Sequence, residues 1–305
     1  MARPTLSRGT SDKAAAKELQ ALLNKNGERL TVDGDFGGGT ETAVKGFQLS
    51  YGLGQTGVAD AAVWAILDRP PYFRQPAFKS VKLVPDLQVS GSKSVATAWN
   101  KYGGLLAALS EDLGFSPSSA AAVLAVESAG EGFWDGKMVI RFENHIFYRW
   151  GKDHADVYKA HFRFNNSSSW KDHSWRPDTR ALWRPLHTKE AGQAEEWAAL
   201  EYARTLDDTA ALNSISMGAP QIMGFNSAKI GFSSVQEMFE AFNAGDRAHI
   251  CGLFDFIRSD HLMVRALRTE DWTGFAGIYN GGGQKDYYGG KIGENVQKAK
   301  GLGIP

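Results

Sequence analysis

The sequence predicts a mainly α-helical protein in two parts: a small three-helix domain, then a larger, mostly helical α+β domain with a short β-hairpin or sheet. Three observations lead there. At 305 residues the chain is longer than one compact core of ordinary size, so two domains are expected. Apolar residues recur at helical spacing over most of the length. One run, Met138-Val139-Ile140-Arg141-Phe142-Glu143, has instead the composition and length of a strand. The expected division is 1–69, a linker over 70–94, and 95–305.

In chain order, Ser11 or Asp12 caps a first helix with Ala15, Leu19, Leu22 and Leu23 on one face, stopped by Asn26-Gly27. A tight turn follows at Val32-Asp33-Gly34-Asp35-Phe36-Gly37, and Thr40 is expected to cap a second helix carrying Ala43, Val44 and Phe47. Thr56-Gly57-Val58 turns the chain into a short third helix with Val63, Trp64, Ile66 and Leu67. Pro70, Pro71, Pro76 and Pro85 then interrupt any helical period, which reads as a stiff linker or a strap lying on a neighbour. Val95, Ala98, Trp99, Tyr102, Leu105, Leu106, Leu109 and Leu113 mark an amphipathic helix, and Pro117 opens another that runs to Glu127. The stretch from Ser167 to Thr188, rich in Ser, Trp, Arg and Pro, suggests a loop or lid. Helical periodicity resumes over 190–206, 234–242, 247–258 and 260–267.

Composition excludes several classes. Lys plus Arg and Asp plus Glu each number 34, so there is no surplus of cations to hold nucleic acid. No stretch reaches membrane-spanning length, and the first ten residues lack the apolar core of a signal peptide. The lone Cys251 cannot form an internal disulfide and sits in an apolar helical run, where a buried structural thiol is expected. Synthesis in a cytoplasm follows, with any action outside it depending on another agent. Without an HExxH pair or a cysteine partner, His145, His154 and His161 do not make a zinc site, and no metal or cofactor is expected. There is no G-x-S-x-G elbow and no phosphate loop.

Two carboxylates stand out. Glu127 ends the apolar run Leu124-Ala125-Val126, where the negative helix end and partial burial both favour the protonated form that a general acid needs. The alternative is an ordinary last-turn glutamate pointing to solvent. Glu143 closes the strand-like run, and a carboxylate there facing an acid on a helix end is the arrangement that glycoside hydrolysis uses. Its alternative is a salt bridge to Arg141 or Arg149. Glycines bracket Gln221 in Gly218-Ala219-Pro220-Gln221-Ile222-Met223-Gly224, and an apolar helix delivers Tyr279 and Asn280 to a glycine turn; both patterns suit close approach of a ligand, or merely a helix stop. Trp134, Trp150, Trp170, Trp175 and Trp183 lie near these segments and offer faces for stacking on sugar rings, although core packing must claim several.

Two resemblances can be placed on these residues. Leu19-Gln20, Leu22-Leu23-Asn24, Val32-Asp33-Gly34-Asp35-Phe36-Gly37, Phe47-Gln48, Gly57-Val58 and Trp64 resemble the peptidoglycan-binding type 1 domain. This implies a module that docks on bacterial peptidoglycan, with Asp33, Gly34, Phe36, Phe47 and Gln48 matching its motif. Glu127-Ser128-Ala129-Gly130, Ile140-Arg141-Phe142-Glu143-Asn144-His145, Gln221-Ile222-Met223-Gly224-Phe225-Asn226 and Tyr279-Asn280-Gly281 resemble the N-acetylmuramidase domain of modular phage endolysins, within the lysozyme-like superfamily. The segment Met217-Gly218-Ala219-Pro220 departs from that family's usual residues. The resemblance implies a lysozyme-like fold and Glu127 as catalytic acid, and Glu143 or a water held by a polar group is expected to complete the displacement. It also implies Gln221, Tyr279 and Asn280 along the glycan cleft, and His145 and Ser128 are expected to bind substrate beside them. The implied activity is hydrolysis of the β-1,4 bond after N-acetylmuramic acid by a monomer, released to the wall by a separate membrane-permeabilising protein. Lytic transglycosylation and non-catalytic wall binding are the alternatives.

Overall fold

The computed structural model describes residues 3–25, 28–50, 53–68, 79–85, 92–128, 132–188 and 192–305; the side chains of residues 25, 49, 50, 127 and 128 also lie outside the description. Most of the expected linker over 70–94 therefore falls outside it. Fourteen α-helices and three small sheets are present among the described residues. The chain divides into two compact units, one of Met1–Gly130 with Leu253–Pro305 and one of Glu131–Gly252.

The first unit begins with α1 (Lys13–Lys25), α2 (Gly38–Ser50) and α3 (Ala61–Leu67). Asp12 caps α1 by accepting from the Ala15 amide at 3.0 Å, and Asp60 caps α3. Thr40 does not cap α2. That helix starts two residues earlier, and the Thr40 hydroxyl donates back to Asp35 O at 3.2 Å, so it closes the preceding turn instead. Leu19, Leu23, Val44, Phe47, Val63 and Trp64 form the core of this three-helix group. The segment 79–85 is a strap on α4 (Lys93–Leu113): Trp99 Nε1 donates to Lys82 O at 2.9 Å, and the Asn100 amide pairs with both backbone groups of Val84.

Helix α5 (Pro117–Ser128) is apolar all round, with Ala120 through Ala125 buried, as befits a helix enclosed by others. It packs on α4 and on α14 (Lys285–Gly301). The unit is completed by the end of α11 (Asp246–Arg258), α12 (His261–Arg268) and α13 (Trp272–Tyr279). Helix α12 packs on α2, and His261 Nε2 lies 2.8 Å from Glu28 Oε1, which ties the three-helix group to the rest of this unit.

Among the described residues, all the strands lie in the second unit. The strand-like run is split: β1 (Phe133–Trp134) pairs with β2 (Lys137–Met138), while β3 (Ile140–Phe142) leads an antiparallel sheet β3-β7-β8 with β7 (Ile215–Met217) and β8 (Ile222–Met223). Helices α6 (Asn144–Gly151) and α7 (Ala155–His161) follow β3. The 167–188 stretch is not merely a loop or lid, because β5 (Ser174–Trp175) and β6 (Arg184–Pro185) pair there with β4 (Phe162–Arg163). Buried Trp175 and the stack of Trp183 between the Arg163 and Arg176 guanidinium groups hold that sheet together. Helices α8 (Gly192–Leu206), α9 (Asp208–Asn213) and α10 (Val235–Ala244) cover the rest. Cys251 is buried.

Candidate active site and wall-binding module

The outer edge of β3 is satisfied by side chains rather than by a strand. Backbone polar groups at a covered edge must find partners, and one face of α8 supplies them. Gln193 exchanges two hydrogen bonds with the Ile140 backbone, at 2.8 and 2.9 Å. Glu196 Oε2 accepts from Phe142 N at 2.7 Å, and Trp197 Nε1 donates to Met138 O at 2.9 Å. With Ile140 and Phe142 buried, strand alternation sends Arg141 and then Glu143 to the opposite face. Glu143 is also the residue from which α6 starts, so its carboxyl stands at the positive end of that helix.

Arg141 Nε lies 2.8 Å from Glu143 Oε1, which realises the salt bridge to Arg141 considered from the sequence. Arg149 instead sits over the Phe225 ring. Glu143 Oε2 faces His145 Nδ1 at 3.3 Å and His173 Nδ1 at 3.5 Å, and neither it nor His145 Nδ1 has a well-aligned hydrogen bond. Burial pushes this carboxyl up, but the contact with His145 and the positive charge or dipoles of Arg141, His187 and His173 outweigh it and hold Glu143 at about 2. The neighbouring rings move the other way: burial lowers His173, and burial with Arg141 lowers His187 to about 4. The site thus sets a carboxylate held low beside two imidazoles, His173 and His187, whose charged form burial disfavours.

Glu196 is the opposite of Glu143. Its Oε1 accepts from His187 N at 2.9 Å and its Oε2 from Phe142 N, yet burial dominates and pushes it up to about 7. His187, held at φ 62 in the left-handed region, donates Nε2 to Phe142 O at 3.0 Å. Sequence reasoning did not single out His173, His187 or Glu196. Only the polar pair Gln193 and Glu196, three apart on an amphipathic helix, hints at them.

The other candidates fall as follows. Gln221 adopts φ 50 in the β7–β8 turn; its Oε1 accepts from Ser216 Oγ and its Nε2 donates to Gly218 O, each at 2.8 Å. This side chain is therefore committed to holding the turn, beside Val139 at the start of β3, whereas Glu143 lies past its other end. Tyr279 ends α13, stacked on Phe275 and edge-on to Phe256, and Asn280 is the C-cap. Glu127 and Ser128 occupy the last turn of α5, and their side chains are outside the described residues. Among the tryptophans, Trp134 and Trp170 are exposed.

In the three-helix group two glutamines do the same work. Buried Gln20 donates Nε2 to Asp33 Oδ1 and Asp35 O and accepts from Gly34 N; buried Gln48 donates Nε2 to Thr56 Oγ1 and Val58 O and accepts from Gly57 N. Both glycines need positive φ, +81 and +72. Gly34, Phe36, Phe47 and Gln48 are buried and build the frame, so of the five motif residues only Asp33 presents itself to solvent.

Two family models place these units among proteins that cleave and bind bacterial cell-wall glycan. Residues 116–300 match the family model described as N-acetylmuramidase, and residues 12–67 match that of the putative peptidoglycan binding domain. The chain belongs to the N-acetylmuramidase family, and is a glycoside hydrolase. Among solved structures it is similar to the crystal structure of a Burkholderia AP3 phage endolysin, 26% identical, with 98% of this chain and 99% of that one covered at a TM-score of 0.52. No curated protein sequence matches it. Among the described residues no helix is long and apolar enough to cross a membrane.

Proposed function

We propose that this protein is an endolysin that docks on peptidoglycan through α1–α3 and hydrolyses the β-1,4 bond between N-acetylmuramic acid and N-acetylglucosamine. In this reading Glu127 protonates the glycosidic oxygen and Glu143 supplies the negative charge that the oxocarbenium-like transition state requires. The observation that carries it is the Glu143 carboxylate, held ionised at about 2 by Arg141, three imidazoles and the start of α6. Such a second, permanently charged carboxylate supports hydrolysis over transglycosylation, in which the sugar's own 6-hydroxyl attacks. Gln221 acts by shaping the β7–β8 turn, and Tyr279, Asn280, His145 and Ser128 line the glycan. The domain boundaries at 69 and 94 separate docking from chemistry, and docking raises the local substrate concentration without altering the reaction. The protein works as a monomer and reaches the wall after a separate protein permeabilises the membrane.

Mass spectrometry of purified sacculi digested with wild type and with Glu127→Gln tests this. Products carrying an added water from wild type and none from the variant are expected. Products with 1,6-anhydro ends, or near-normal release by the variant, would overturn it.

A further inference from the structure

Three side chains from separate segments of the second unit converge. Glu143, His173 and His187 each bring one donor atom to within 4.8 Å of the others. Glu143 Oε2 is buried and accepts no hydrogen bond of good geometry, and His173 Nδ1 lies 3.5 Å from it. The backbone fixes both ring tautomers: His173 Nε2 is 2.8 Å from Ser169 O, and His187 Nε2 is 3.0 Å from Phe142 O. A carbonyl can only accept, so each Nε2 carries the proton and each ring keeps its lone pair on Nδ1. Imidazoles that ligate metals are held in this way, by a second nitrogen donating to a backbone carbonyl.

We propose that Glu143, His173 and His187 form a binding site for a divalent transition-metal ion of zinc-like preference. Two imidazoles and one carboxylate suit such an ion, whereas magnesium and calcium take mostly oxygen ligands. Tetrahedral zinc with bonds of about 2.0–2.2 Å needs its ligand atoms about 3.3–3.6 Å apart. The Glu143–His173 pair already has that spacing, and a His187 ring nitrogen lies within 4.8 Å of both ligand atoms. Arg141 holds Oε1 and leaves Oε2 for the ion, although its charge weakens the site. Coordination also displaces the long 3.3 Å hydrogen bond from Asn144 N to His173 Nδ1. The fourth position goes to water. If Glu143 has the role proposed above, an ion here neutralises the carboxylate and inhibits hydrolysis; that consequence rests on the proposed function, while the binding site does not.

The test uses the full chain, calorimetric titration with zinc chloride and visible absorption with cobalt(II). Wild type is expected to bind one equivalent, with cobalt giving the absorption of a four-coordinate site. Glu143→Gln, which keeps the side chain's shape, and His187→Gln are each expected to weaken binding by more than about tenfold. Thermal melts establish that each variant is folded, and either variant alone suffices. No zinc uptake by wild type at millimolar concentration, or wild-type affinity in a folded variant, would overturn the proposal. One-site binding lost in the variants, without any zinc inhibition of wild-type hydrolysis, would uphold the site and overturn the proposed role of Glu143.

Discussion

Glu127 and Glu143 stand at opposite ends of helices: the first in the last turn of α5, the second at the start of α6. Backbone carbonyls gather at one position and amides at the other, and the negative end of a helix favours the acid form of a carboxyl where the positive end favours its anion. At Glu143 the surroundings add Arg141 and three imidazoles to the amide end. The helix that leads to Glu127 is buried from Ser118 to Ala125. Under the proposed roles, the contrast teaches that two glutamates sixteen residues apart need no special chemistry of their own to divide the labour of an acid and an anion.

The largest effect should come from removing the proton donor. Glu127→Gln is expected to lower the hydrolysis rate by about 10²–10⁴-fold, measured by muropeptide release, while cosedimentation with sacculi is unchanged. Glu143→Gln should cost about 10²-fold, since it removes a fixed charge and leaves the acid. A rate unchanged by that substitution would break the comparison.

A third experiment sets Glu143 against its neighbour Glu196. Its carboxyl is raised to about 7 in the folded protein from an ordinary 4.5, so the stability present below the unfolded value is lost as pH rises through the folded one. Relative to Glu196→Gln, wild type should lose about 3 kcal/mol of unfolding free energy between about pH 4.5 and pH 7.5 in denaturant melts. Any constant cost of the substitution cancels in that difference. Glu143 and His187 work in the opposite sense: the stability each contributes is present above its unfolded value of 4.5 or 6.5 and is lost as pH falls from there through about 2 and about 4. In the wall module, Gln48→Ala leaves Gly57 N and Val58 O without their partner and should lower its stability by about 1–3 kcal/mol, read from melts and from weaker cosedimentation. The smallest effect is expected from Arg141→Met, which moves the acid limb of the pH–rate profile upward and leaves the rate at neutral pH nearly unchanged.

How much of this could be read in advance follows from how local each feature is. The three-helix module was legible because its signals lie within a few residues of what they organise: Asp12 before its helix, glycines where φ turns positive. Thr40 misled because its hydroxyl serves the turn behind it, not the helix ahead. Glu143 was legible as the last residue of a strand-like run. Its environment was not, since His173, His187 and Glu196 come from segments 30 to 53 residues further on, brought together by the sheet around Trp175 and by α8. Strands two residues long, such as β5 and β6, are too short for any alternation to show, which is why Ser167 to Thr188 read as a loop. Gln221 was conspicuous for its glycines. Those glycines mark the turn that its amide holds closed.

The central claim is that the two glutamates carry opposite charge states in the working range, and carboxyl titration by carbon-13 NMR measures it directly. With side-chain signals assigned from Glu127→Gln and Glu143→Gln, the account predicts that Glu143 titrates near 2, and Glu127 above the usual carboxylate range. Glu143 titrating at or above an ordinary 4.5, or Glu127 below it, would contradict the division of roles.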